Sequence, residues 1–276
     1  MYDTALVPRW IITVIAAFFL YLLLGAVAGV LAGLFGIGGG LIIVPVLIFS
    51  FQAQGLGGDV MAHLAVGTSL AAIVFTSLSS IRTHHAKGAV RWDFFWPMAV
   101  GIVFGTAFGV LTVAGISGPM LQNIIGIFTL VIAVKMGFAL SPTPGRNPPA
   151  KPGLAGVGGV IGWASALFGI GGGSLVVPFL TYCNVGMRNA VATSAACGLP
   201  IAVAGALANM VVGQGQPGLP PYAVGYVYLP AVVGIVLTSV PFARLGALLA
   251  HRLSPVLLRR TFALLLTLIG IRFLLA

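Results

Sequence analysis

The stretch Leu34-Phe35-Gly36-Ile37-Gly38-Gly39-Gly40 returns letter for letter as Leu167-Phe168-Gly169-Ile170-Gly171-Gly172-Gly173. Each copy sits in an apolar segment, and a proline, Pro45 or Pro178, follows five residues after its last glycine. The chemistry open to such a run belongs to the backbone. A helix N-terminus carries roughly half a positive charge and free N–H groups, and glycines let that backbone approach an anion with no Cβ in the way. Half-helices starting near Leu41 and Ser174 would then face one small anion, with Gly36, Gly38, Gly39, Gly40, Gly169, Gly171, Gly172 and Gly173 as its cradle. Ser174 can cap its half-helix as well as bind. The competing reading is close helix packing through small residues. A nucleotide loop is excluded by the absence of a Walker Lys-Ser/Thr after the glycines.

Hydroxyls supply a second layer. Met61 to Ser69 resembles Met187 to Ser194, which pairs Thr68-Ser69 with Thr193-Ser194. Such groups donate to an oxyanion without the cost of a buried cation; their alternative is back-bonding to the i−4 carbonyl. Asn209 falls at the position matching His84 and reads as a substrate-facing amide or as glue between helices. Lys135 and Arg272 read as snorkelling side chains near helix ends, and His84 and His85 as part of a solvated connection. The acids past the N-terminus, Asp59 and Asp93, fall at helix ends, so a carboxylate proton carrier is lacking. Cys183 and Cys197 have no CxxC or metal spacing and read as small buried residues. No catalytic set, metal site or cofactor site is expected, and the chain is read as not an enzyme.

The elements that must position these groups follow from composition. With 59% hydrophobic and 6% charged residues and a mean hydropathy of +1.15, the chain is an all-α polytopic membrane protein. Its net charge of +10 is dispersed among short connections, which excludes a nucleic-acid groove and reads as a topology signal. Apolar segments are expected near Trp10–Leu34, Leu41–Phe51, Ala62–Arg82, Phe94–Ala114, Pro119–Leu140, Gly153–Phe168, Ser174–Cys183, Val191–Gly213, Ala223–Leu249 and Val256–Leu275. Prolines in 141–152 forbid a continuous helix.

Phe35 and Phe168 are 133 positions apart, as are Pro97 and Pro230, and Gly101-Ile102-Val103 falls on Gly234-Ile235-Val236 at the same offset. The chain thus divides into a first repeat, 1–140, a cytoplasmic proline-rich linker, 141–152, and a second repeat, 153–276. Basic residues in Arg82–Arg91, in the linker and in Arg244–Arg260 place all three inside. Each half then becomes a broken, glycine-rich helical hairpin plus three transmembrane helices, and this odd parity relates the halves by inversion across the bilayer.

These residues, Gly36–Gly40 with Pro45, Gly169–Gly173 with Pro178, and Gly67-Thr68-Ser69 (with Ala192 in place of the glycine in the second copy), resemble the sulfite exporter TauE/SafE family over essentially the full length. The resemblance implies transport of a small sulfur-containing anion, sulfite or an organosulfonate. Intramembrane breaks at matching places in two halves point to a site between repeats. The expectation is therefore a multi-pass secondary transporter of the cytoplasmic (inner) membrane working by alternating access. Its expected partners are the anion, the lipid bilayer and a coupling ion, H⁺ or Na⁺; a homodimer is compatible with the sequence. The alternatives are an anion channel or a non-transport membrane partner of a sulfur-metabolism complex.

Overall fold

The computed structural model describes residues 18–30, 40–56, 58–138, 145, 147–250 and 255–275, with side chains at all of these but 244, 246–250 and 255–259. Ten helices lie within them: α1 (Phe18–Val30), α2 (Gly40–Ala53), α3 (Val60–Ala86), α4 (Trp92–Ala114), α5 (Gly118–Gly137), α6 (Lys151–Phe168), α7 (Gly173–Tyr182), α8 (Met187–Val212), α9 (Leu229–Ala250) and α10 (Pro255–Leu274). Among the described residues, α3, α4, α5 and α8 are long and apolar enough to cross a membrane. On α4 the rows Trp96, Val100, Phe104, Phe108 and Leu111 are exposed, Phe104 by 73%. Spaced mostly by four residues, they form one stripe, the surface a bilayer covers. The protein is an integral membrane protein.

The expected segments and the observed helices differ at two places. The segment expected at Ala223–Leu249 begins instead as a two-stranded antiparallel hairpin, β1 (Ala223–Val224) and β2 (Val227–Tyr228). The reason is local: Gly225 turns with φ +54°, and a side chain there would strike the backbone of Met210. The Tyr226 N–H then donates to Asn209 O at 3.1 Å, closing the end of α8. The other difference is at α6, which starts at Lys151 with a proline in its first turn, where a missing N–H costs no hydrogen bond.

Glycines set which helices touch. On α4, Gly101, Gly105 and Gly109 lie against the backbone of Ala155, Gly159 and Trp163 of α6, and Gly158 and Gly162 of α6 lie against Met98 and Ile102. These contacts advance in the same sense along both helices, so α4 and α6 run parallel. On α1, Gly25 and Gly29 meet Ile235 and Ser239 of α9 in the same way, and Thr238 Oγ1 donates to Leu22 O at 2.7 Å. Close backbone approach through small residues replaces the hydrophobic drive that lipid removes.

The central pair is α3 with α8. Gly67 faces Asn209, Leu70 faces Gly205 and Ser77 faces Gly198, so these two helices run antiparallel. The helices α5 and α10 do the same, with Gly126 against Gly270 and Phe273, and Gly137 near Ala263. One end of the bundle gathers the α3–α4 and α7–α8 connections and part of the linker: Arg188 Nη2 donates to Lys87 O at 3.3 Å and Gly145 N–H to Tyr182 O at 3.4 Å. That end carries Lys87, Arg91 and Arg188. At the opposite end, Asp59, Val113, Gly118 and the β hairpin come together, with no lysine or arginine in 52–60, 111–122 or 212–229.

Candidate anion site at the glycine breaks

Helix α6 ends because Gly169 takes the left-handed conformation, φ +62° and ψ 33°, with its N–H bonded to Ser165 O. Ile170 N–H also reaches Ser165 O, at 3.1 Å. A Cβ at Gly169 would lie 2.7 Å from Val44 Cγ2 and 3.1 Å from Val66 Cα, so glycine is required both by φ and by space. The chain turns through Gly171 and Gly172 and re-enters a helix at Gly173. The N-cap there is Gly172, which has no side chain to cap the helix; Gly173 N–H bonds Gly171 O and Leu175 N–H reaches Gly172 O at 3.1 Å instead. Within α7, Pro178 cannot donate to the Ser174 carbonyl, and Pro45 in α2 bears the same relation to Leu41. Polar backbone is thus concentrated at the start of both half-helices.

The start of α2 meets the second break. A Cβ on Gly40, the first residue of α2, would lie 2.8 Å from Ile170 Cα and 2.9 Å from Gly169 O. Gly36, Gly38 and Gly39 lie outside the described residues. Around the junction, Gly171 faces Ile73 of α3, and Gly172 faces Ile201 and the Ser194 backbone of α8.

The hydroxyls divide into two kinds. Thr68 Oγ1 accepts from Tyr228 N–H at 2.9 Å, and Thr193 Oγ1 accepts from Arg91 N–H at 2.9 Å. Tyr228 and Arg91 are the residues just before α9 and α4, so each threonine holds the entry of a helix belonging to the other half. The serines part company. Ser69 Oγ donates to Gly169 O at 2.8 Å and fixes the left-handed turn. Ser194, 2% exposed, has no partner for its Oγ among the described residues, and neither does Ser174 Oγ. None of the four side chains makes an i−4 back-bond. Asn209 does: Nδ2 donates to Gly205 O at 2.8 Å, while Oδ1 stays unpartnered. It sits beside Gly67 and the β hairpin, at the far end of α8 from Ser194.

Three buried hydroxyls with no partner among the described residues were missed by the sequence reading: Thr106, Ser165 and Ser239. Thr106 and Ser239 are 133 positions apart, so the offset that ties the glycine runs together would have found them. Thr106 Oγ1 lies 2.8 Å from where a Cβ on Gly162 would stand, within the α4–α6 contact. Cys197 and Cys183 are both buried free thiols.

The chain is similar to several known proteins. A probable membrane transporter protein of Haemophilus influenzae is 36% identical over 253 residues, covering 91% of this chain and 96% of its own. One from Methanocaldococcus jannaschii is 29% identical over 259 residues, covering 93% and 95%. The probable membrane transporter protein MamO of Paramagnetospirillum magneticum is 24% identical over 271 residues, covering 85% of this chain and 40% of its own. No solved structure matches. The sequence model described as sulfite exporter TauE/SafE matches residues 21–273, and the chain belongs to that family of membrane transporters.

Proposed function

We propose that this membrane transporter carries a small sulfur-containing anion, sulfite or an organosulfonate, across the cytoplasmic membrane by alternating access between two inverted repeats. The observation that carries the reading is the meeting of α2 with the second break: Gly40 packs against Gly169 and Ile170, beside an α7 N-terminus without a side-chain cap and the hydroxyls of Ser174 and Ser194, which have no partner among the described residues. Amide and hydroxyl donors suit a compact oxyanion, since they offer hydrogen bonds and partial positive charge without a buried cation.

The helix directions support inversion. The repeat-equivalent pairs α3/α8 and α5/α10 run antiparallel, while α4 runs with α6 and α1 with α9, as a twofold axis lying in the membrane plane would require. The basic end of the bundle is then cytoplasmic. Entry of the α6–α7 hairpin from that side and of the α1–α2 hairpin from the other would put the starts of α2 and α7 near mid-depth. Rocking of one half against the other would open the junction to each side in turn.

The test is uptake into proteoliposomes of purified protein, with labelled sulfite, sulfate, thiosulfate, taurine and sulfoacetate presented in parallel. Saturable flux of a sulfur anion is the expected outcome. Non-saturating flux would indicate a channel, and no flux of any of the five would overturn the substrate assignment.

A further inference from the structure

We propose that His63 is the proton-binding site of this protein, and that its proton clamps the N-terminal end of α3 to the C-terminal end of α4. The imidazole is 4% exposed. Its Nδ1 lies 2.9 Å from Asp59 O and its Nε2 lies 3.0 Å from Val113 O. Both ring nitrogens therefore face carbonyl oxygens, which accept and never donate. A neutral imidazole has one N–H and one lone pair, so one of the two contacts would set lone pair against lone pair; an imidazolium satisfies both. Binding a proton at that lone pair creates the second N–H donor, and releasing it returns the proton to water and removes the donor.

The ring stands in the first turn of α3, between the partly positive start of that helix and the partly negative end of α4. Val113 lies in the last turn of α4, where the helix carries roughly half a negative charge, and its oxygen also accepts from Ile116 N–H at 3.0 Å. The ring stacks on Tyr226 of the β hairpin, with centroids 5.0 Å apart and planes at 29°, a face that attracts a cation. The titratable groups near His63 are the phenol of Tyr226 and the exposed carboxylate of Asp59 on its own helix. The packed ends of α4, α5 and α8 (residues 111–122 and 209–213) bring none, and no lysine or arginine.

His63 is also wired to the candidate site. It lies five residues before Thr68 and six before Ser69, about 9 Å along the helix at 1.5 Å per residue. The hairpin that carries Tyr226 donates to Asn209 O and, through Tyr228, to Thr68 Oγ1. Protonation ties the end of α4 to the start of α3 and the hairpin, and deprotonation removes one of the two hydrogen bonds that make the tie. In the second half, the 125-residue offset that pairs Thr68 with Thr193 puts Arg188 opposite His63; there the cation is permanent. The assignment of the proton as coupling ion rests on the transport reading; the protonation of His63 does not.

The experiment separates the two. In full-length protein carrying His84→Gln, His85→Gln and His251→Gln, ¹⁵N-labelled histidine reports His63 alone in bilayers. Titration from about pH 5 to pH 8, the range in which imidazole changes charge, is expected to show two protonated, hydrogen-bonded ring nitrogens at the acid end and loss of one as pH rises. A ring that stays neutral throughout overturns the proposal, whatever the transport assay gives. In proteoliposomes, anion flux by the wild-type protein should vary with external pH by up to about tenfold per unit, the limit for one linked proton, and flux by His63→Gln should be flat. Equal pH dependence in both overturns the clamp. An imidazolium signal with no anion flux sinks the transport reading and leaves the proton site standing.

Discussion

Helices α3 and α8 occupy the same place in their repeats, yet they differ in what their polar groups are free to do. Thr68 and Thr193 perform the same task, each accepting the amide that opens a helix of the other half. Ser69 is spent on the carbonyl of Gly169, whereas Ser194 is buried without a partner. His63 faces two carbonyls at one end, and Arg188 reaches Lys87 O from an exposed position at the other. Gly67 lets α3 touch the hairpin, and Ala192 replaces it in α8. The shared features are those that hold the two halves together. The features that differ are the partners of Ser69 and Ser194 and the surroundings of His63 and Arg188.

The comparison breaks first at Gly67. A Cβ there would collide with Tyr226 O and come within 3.1 Å of Asn209 Cβ, so Gly67→Ala should destabilise the protein by about 3 kcal/mol, the upper end for overpacking. Ala192→Gly should cost only about 1 kcal/mol, the helix-propensity difference. Thermal unfolding in detergent reads both, and equal losses would remove the distinction between the two helices at this position.

The serines sharpen it. Ser69→Ala strands a buried carbonyl and should cost about 1–3 kcal/mol of stability. Ser194→Ala should leave the unfolding temperature unchanged and raise the KM for the transported anion about tenfold, as loss of a hydrogen bond to a charged ligand would. The threonines should behave alike: Thr68→Val and Thr193→Val each remove the acceptor for one helix-entry amide and should lose about 1 kcal/mol apiece in the same unfolding assay. Smallest of all is Arg188→Gln, an exposed side chain at 3.3 Å from its acceptor, expected to shift stability by less than about 0.5 kcal/mol and to leave any pH dependence of flux intact.

What could be read in the sequence was what repeats. The glycine runs, the Thr-Ser pairs and the linker prolines are local patterns whose physics is stated by their residue types; the half-helices after the glycine runs start within a residue of where those runs put them, whereas α6 takes in Lys151 and Pro152 of the linker. The β hairpin escaped because Ala223-Val-Gly-Tyr-Val-Tyr228 is as apolar as any helix, and only the contact of Gly225 with the end of α8 turns it. The partners of the hydroxyls escaped because they are remote: Tyr228 lies 160 residues from Thr68 and Arg91 lies 102 from Thr193. The antiparallel contact of α3 and α8 that brings them together has no sequence signature. His63 passed as one letter of a repeated segment, since nothing in its neighbours' types announces that two carbonyls converge on the ring.

The most direct test of the account is labelled-sulfite uptake by Gly172→Leu set against the wild-type protein, with equal insertion into the proteoliposomes. The atoms closest to a Cβ at Gly172 are the side-chain ends of Val176 and Ile201, at 2.9 and 3.2 Å, so a leucine there meets side chains that can shift while covering the N-terminus of α7. Loss of saturable flux from correctly inserted, folded protein is the predicted result. Normal flux through that variant would contradict an anion site at the glycine breaks.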